Sequence, residues 1–285
     1  MSTRCLPRVL ATFGALLFLS AASLDASANN REACYRDFQP SSGQAGKDVV
    51  WVPTNDGLVN RMLRMAQVKP TDLVYDLGAG DGKIAIAAAR DFGARSVGVE
   101  YNPDMVKLAQ CLVKAEGVEG KTTIMQGDIF ETDFSKATVV TLYLLPELNV
   151  RLRPTILKMK PGTRVVSHSF LMDDWEPDER SSSEDGQAYF WVVPAQVAGH
   201  WTLRAQDSKE SISLQLQQQF QQVNGTAGES KRSLVDTNLR GDELKFAYNE
   251  DGAPVKVVAR VNGDKMEAQV TRGGRTTKYV GERRG

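Results

Sequence analysis

Residues able to do chemistry crowd into one short run, Asp76-Leu77-Gly78-Ala79-Gly80-Asp81-Gly82, followed by Glu100 and then by Gly127-Asp128-Ile129. Glycines at 78, 80 and 82 let the chain turn sharply and bring its backbone, with that of Ala79, close to a ligand where a Cβ would clash. A dinucleotide fingerprint needs a glycine three positions after Gly80. Lys83 stands there, which disfavours a pyrophosphate. The acids suit a ligand that offers an ammonium and a ribose diol. Asp76 should face the ammonium, directly or through water, and Glu100 should accept both ribose hydroxyl protons. Asp128 should accept from an adenine amino group, with Ile129 against the ring. Acids at strand ends often only cap helices or solvate loops, so the weight lies on the three features occurring in order.

These residues need elements to hold them. Leu58, Met62, Leu63 and Met65 recur at helical spacing after Thr54, a candidate N-cap, and Lys69-Pro70 stops that helix. Val74 to Leu77 forms a strand, and Ile84, Ala85 and Ala87 to Ala89 mark a small-residue helix. The alternation continues with strand 96–100, helix 103–116, strands 122–125 and 138–145, helix 148–159 and strand 164–167. β-Branched runs separated by helices predict an α/β fold, Rossmann-like, with a mostly parallel sheet covered by helices on both faces. Asp76, Glu100 and Asp128 then sit at the carboxyl ends of strands, where such sheets bind ligands.

After His168 the helical period disappears. An acidic loop is expected over 173–185, with strands at Tyr189–Val193 and His200–Arg204 that could complete the sheet. Beyond residue 208 alternating apolar residues, with Asn224-Gly225 and Asn262-Gly263-Asp264 as turn signals, predict a C-terminal antiparallel β-module. Gln215 to Gln222 reads as a solvated strand face, and Arg272, Arg275, Lys278, Arg283 and Arg284 as a solvated basic edge. Trp51, Trp175, Trp191 and Trp201 could line a substrate groove, but packing is the expectation for each, and His168 is expected to be a hydrogen-bonded structural residue rather than a base.

The 285 residues carry 35 Lys and Arg against 35 Asp and Glu, so no global field advertises a nucleic acid or an anionic membrane as partner. Arg4 and Arg8 precede an apolar run from Val9 to Ala22 that ends in Ala26-Ser27-Ala28, the pattern of a cleaved secretory signal peptide. The run is too short to span a bilayer, so membrane contact is expected only through this segment, and the chain is expected to be exported, periplasmic or secreted. The organisation expected is a signal peptide over 1–28, a polar leader over 29–50, a cofactor-binding domain over 51–207 and the β-module over 208–285. Cys34 and Cys111 could pair in an oxidising compartment, although a place in an irregular leader for one and in a helix for the other favours unpaired thiols, and no spacing suits a metal.

The loop from Asp76 to Gly82, Tyr143-Leu144-Leu145-Pro146 and Met159 to Ser167 together resemble the class I methyltransferases, over residues 50–205. With Val52-Pro53-Thr54, they are similar to the non-SET protein-lysine methyltransferases within that class. The signal segment and β-module also resemble exported bacterial methyltransferase-like proteins. The resemblance implies S-adenosylmethionine as cofactor, Thr54 near its methionine end, and Leu145-Pro146 bordering the methyl-transfer channel. The histone-modifying enzymes carry an Asn-rich segment where this chain has Leu144-Leu145-Pro146, so the acceptor, a protein lysine on this likeness, stays open. Methyl transfer from a sulfonium needs alignment and a neutral nucleophile, for which Tyr143 is a candidate orienting residue. The alternative is an exported protein that keeps the cofactor fold without activity and recognises an envelope partner through its β-module.

Overall fold

The computed structural model describes residues 30–284. The expected signal segment, with its cleavage site after Ala28, lies outside them. The described part of helix α1 covers residues 30–34. A small hairpin follows, β1 (Gln44–Ala45) and β2 (Val50–Trp51). The alternating core comprises α2 (Asp56–Met65), β3 (Leu73–Leu77), α3 (Lys83–Phe92), β4 (Arg95–Glu100), α4 (Pro103–Ala115), β5 (Thr122–Gln126), β6 (Val139–Leu142), α5 (Pro146–Ile156) and β7 (Arg164–His168). Two antiparallel strands close it, β8 (Glu179–Ser183) and β9 (Gly186–Val192).

The sheet runs β5-β4-β3-β6-β7-β9-β8, parallel through β7. Alternation along the strands sends Val74, Val139 and Val166 to one face, under Leu58, Met62 and Leu63 of α2. Val140, Val165 and Trp191 go to the other, under Leu152 and Ile156 of α5. Helices therefore cover both faces, as expected. Strand order reverses between β3 and β6, and the crevice beyond their carboxyl ends is where this architecture accommodates a ligand.

The remaining strands are β10 (Gly199–Ala205), β11 (Ser211–Gln219), β12 (Gln222–Ala227), β13 (Arg232–Ser233), β14 (Val235–Arg240), β15 (Glu243–Glu250), β16 (Ala253–Asn262), β17 (Lys265–Arg272) and β18 (Arg275–Arg284). They form one antiparallel sheet, β13-β12-β11-β10-β18-β17-β16-β15-β14, whose ends curl back beside each other around Trp201, Phe246, Tyr248 and Tyr279. On β11, Ile212, Leu214 and Leu216 point inward while Gln215, Gln217 and Gln219 face solvent, the strand face read from the sequence.

Several expectations fail for identifiable reasons. The strand at His200–Arg204 belongs to this second sheet, because β10 pairs with β11 and β18. The acidic loop contains β8, an edge strand blunted by charge. Asn224-Gly225 lies inside β12, and the chain reverses at Phe220-Gln221 instead. Phe220 accepts a left-handed φ of 53° there because its ring stacks on Trp175, 5.9 Å away. Gly225 is needed where it stands, since a Cβ would come within 2.1 Å of the Gln215 carbonyl oxygen. The basic run is no edge either, as β18 is central and Arg272 and Arg283 bond to Glu250 and to Asp264.

The leader departs most from expectation. Cys34, Tyr35 and Phe38 pack on the apolar faces of α3 and α4, and Cys34 forms a disulfide with Cys111 across a Cα separation of 5.7 Å. Reading 29–50 as polar and irregular hid the apolar contact that brings the two sulfurs together.

Candidate active site

The N-cap of α2 is Asn55, whose Oδ1 accepts from the Gly57 amide, one residue later than predicted. Thr54 is thereby freed from capping. It is buried, and its Oγ1 lies 3.1 Å from His168 Nδ1 at the end of β7. Asp76, 2% exposed on β3, accepts from Thr141 Oγ1 of the neighbouring β6 at 2.6 Å. Burial pushes its carboxyl up to about 7, with the Thr141 hydrogen bond opposing the shift and the Asp81 and Glu100 charges adding to it. A group in this state favours a cation that would share its burial.

From Asp76 the chain enters the glycine loop. Gly78 and Gly80 have φ of 82° and 56°, the left-handed region that glycine tolerates without strain. A Cβ on Gly78 would lie 2.9 Å from Leu144, and one on Gly80 2.6 Å from Trp51 Nε1. Glu100, ending β4, is fixed by two backbone amides, Gly80 N–H to Oε2 at 2.9 Å and Asn102 N–H to Oε1 at 2.8 Å. Each oxygen keeps a free lone pair, so the carboxylate is already aimed for a pair of hydroxyl donors. Asp128 accepts from the Phe130 amide at 2.9 Å and from Lys47 Nζ at 2.5 Å. The Lys47 ammonium holds its carboxyl below the ordinary range.

These groups line a cavity of about 250 Å³ that gathers Thr54, Asp76, Gly78, Ala79, Gly80, Glu100, Asp128, Ile129, Tyr143 and Leu145. Of the residues singled out from sequence, Pro146, the first residue of α5, stays outside, and so does Gly82. With φ 80° it precedes α3, and a Cβ would come within 3.2 Å of Ala109 and Ile124, so it serves the packing of α3 on α4 and β5. The Tyr143 ring stacks on His168 with centroids 3.7 Å apart and faces Phe170 at 6.4 Å. Burial, with the nearby Arg61 charge, lowers His168 to about 4, so at neutral pH an uncharged imidazole backs the Tyr143 ring. Burial also raises the Tyr143 phenol, which stays protonated.

Trp175, Trp191 and Trp201 are buried, but Trp51 lines the cavity rather than packing in a core. The hairpin that carries it was missed altogether: the whole stretch from Gln44 to Pro53 forms one wall. Nothing in its composition signalled this. Tyr101 was also passed over, although its position beside a strand-end acid would have marked it. Among the described residues no cluster of His, Cys, Asp and Glu is placed to hold a metal.

Residues 76–179 match the model of the ANTKMT methyltransferase domain family. The chain is 46% identical over 151 residues to a protein-lysine N-methyltransferase of Saccharolobus islandicus (strain REY15A), covering 51% of this chain and 94% of that relative. The chain belongs to the class I S-adenosylmethionine-dependent methyltransferases. It is also 31% identical over 129 residues to a lysine N-methyltransferase of Xenopus laevis that is named for a component of ATP synthase, covering 45% of this chain and just over half, 56%, of that relative. Among solved structures, an RNA methyltransferase from Salinibacter ruber in complex with S-adenosyl-L-homocysteine is 46% identical, with a TM-score of 0.51, covering 56% of this chain and 99% of that one.

The cavity of this methyltransferase fits its class's cofactor on its own evidence. Asp76 offers a buried partner for the amino-acid ammonium, Glu100 two directed acceptors for a ribose diol, and the loop from Gly78 to Gly80 a backbone surface with no side chain in the way. Five acids line the cavity against two lysines, and both lysines are ion-paired, Lys47 with Asp128 and Lys83 with Asp56. That balance suits a ligand carrying positive charge.

Proposed function

We propose that this methyltransferase acts on the ε-amine of protein lysines, outside the cytoplasm. The observation that carries the acceptor class is the 46% identity to a protein-lysine N-methyltransferase over nearly the whole of that relative. The net charge supports it over the acceptor named for the Salinibacter protein: RNA binding draws mainly on an excess of cationic side chains facing phosphates, and here 35 Lys and Arg are balanced by 35 Asp and Glu. Export is supported by the sequence of the first 28 residues and by the Cys34–Cys111 disulfide, a bond typical of oxidising compartments.

When bound, S-adenosylmethionine supplies an electrophilic methyl on a sulfonium. The residues' work is to hold and orient. Asp76 binds the ammonium, Glu100 the ribose, and Asp128 with Ile129 the adenine. Thr54 and Leu145 border the end where the methyl is presented. The acceptor amine must arrive neutral, and loss of water in the channel beside Tyr143 and Phe170 favours that form. The neutral His168 behind Tyr143 adds no positive charge at that end.

The Tyr143 hydroxyl is the orienting group for the amine. Tyr143→Phe should lower single-turnover methylation by about tenfold with cofactor affinity unchanged, as expected when an alignment contact is lost. An unchanged rate would remove the hydroxyl from the mechanism. The acceptor class is tested with methyl-labelled S-adenosylmethionine, the purified protein and an envelope extract. Label that survives ribonuclease and is released by protease is the expected outcome. Label removed by ribonuclease would transfer the assignment to RNA.

A further inference from the structure

Two features take no part in methyl transfer itself: the Cys34–Cys111 disulfide, and the cation at the adenine end of the cavity. Lys47 Nζ is bonded to Asp128 at 2.5 Å and lies 4.8 Å from the centroid of the Tyr101 ring. It stands where the account puts adenine, so the hairpin carrying it has to shift as the cofactor enters or leaves. That hairpin is a small unit. Its strands are two residues each, joined at the open end by Gly43 N–H to the Trp51 carbonyl at 2.8 Å and at the turn by Gly46 N–H to the Val49 carbonyl at 3.1 Å. Units with so few backbone hydrogen bonds open at low cost.

What limits its excursion is how its two ends are tied. On the carboxyl side the chain passes directly into Thr54, buried against His168. On the amino side the Cys34–Cys111 bond fixes α1 to α4, the helix that also contributes Met105 to the cavity. Beyond the disulfide, Tyr35 and Phe38 pack against α3 and α4, and Arg31, 45% exposed, pairs at 2.7 Å with Glu116, which is 9% exposed and also pairs with Arg90. Cys34 is buried, but Cys111 is exposed on the outer surface of α4, open to a reductant.

We propose that the Cys34–Cys111 disulfide is a redox-sensitive tether for a cofactor lid, the hairpin Gln44–Trp51, and that reducing it speeds cofactor release. The chemistry is thiol–disulfide exchange with a dithiol. One thiolate attacks the Cys111 sulfur and displaces Cys34 as thiolate. The second closes the reductant's own disulfide and releases Cys111, so that two electrons and two protons pass to the cysteines. With the bond made, the hairpin and its Trp51 stay over the cavity. With it broken, the leader keeps its apolar contacts but the lid opens more often.

The inference rests on the cofactor assignment, and the experiment keeps the two apart. S-adenosylhomocysteine is the probe, and its release from the full chain is followed by stopped-flow displacement. Four forms are compared: disulfide-bonded, reduced by dithiothreitol with both thiols titrated, Cys34→Ser with Cys111→Ser, and Lys47→Ala. Trypsin cleavage after Lys47, without ligand, reports lid opening in the three forms that keep that lysine. Release about tenfold faster in the reduced and double-serine forms, with faster cleavage at Lys47, is expected for a loosened lid. Lys47→Ala, with its disulfide intact, should release at the wild-type rate, because that ion pair is already given up when adenine takes Asp128. Reduced wild type has the native sequence, so a double-serine variant that misfolds leaves the comparison standing. Identical release and identical cleavage before and after reduction would overturn the tether. If S-adenosylhomocysteine fails to bind even the disulfide-bonded form, the cofactor assignment falls, and cleavage at Lys47 alone decides whether the disulfide holds the lid.

Discussion

Replacing Glu100 with alanine is expected to weaken S-adenosylmethionine binding by two orders of magnitude or more, measured by calorimetry. Hydrogen bonds to a charged group contribute about 1.5–3 kcal/mol each, and the carboxylate is set to accept two from the ribose. Losing both costs about 3–6 kcal/mol, and each ~1.4 kcal/mol is tenfold in affinity. The truncation also strips the acceptors from the Gly80 and Asn102 amides, so the glycine loop loses its clamp. Glu100→Gln separates these contributions. Its amide oxygen can still accept from one backbone N–H, and the loss should be smaller. Equal affinity in wild type and Glu100→Ala would mean that the ribose is not held at the end of β4.

The second large effect is a pH dependence that runs against the usual behaviour of carboxylates. Asp76 titrates near 7 in the ligand-free protein because it is buried. The ammonium of the cofactor binds the ionised form, so affinity should be constant above that pH and fall about tenfold per pH unit below it. Stability has the opposite sign. A carboxyl whose folded value is raised binds its proton more tightly in the folded state, so its contribution is largest below the ordinary carboxylate range. That contribution is lost progressively as pH rises toward 7. Asp76→Asn, which can still accept from Thr141, should therefore raise the melting temperature of the free protein at pH 8. It should also abolish both the pH dependence of binding and most of the affinity. A variant less stable than wild type at that pH would show that the ionised carboxylate is not the strained species.

The legible parts of this molecule were those in which function and local structure use the same residues. Asp76, Gly78, Gly80 and Glu100 announce themselves because a strand must end, a turn must form and an acid must face the crevice, all within one short stretch. The parallel sheet followed from the alternation of periods. The parts missed were those decided by contacts between distant segments. The pairing of Cys34 with Cys111 depends on the leader folding back over α3 and α4, and the lining hairpin depends on the same event. Gly82 looked like its neighbours in sequence, but its environment is helix packing, which only the fold reveals. Phe220 took a turn position from Asn224-Gly225 because stacking on Trp175 outweighed local preference.

Methyl transfer at this site can be read out atom by atom. The purified protein is incubated with methyl-labelled S-adenosylmethionine and an envelope extract, the labelled polypeptide is hydrolysed in acid, and its amino acids are separated. Label recovered as Nε-methylated lysine with wild type, and absent with Glu100→Ala, is the predicted result. Label recovered in nucleosides, or on another side chain, or in equal amount from Glu100→Ala, would contradict it.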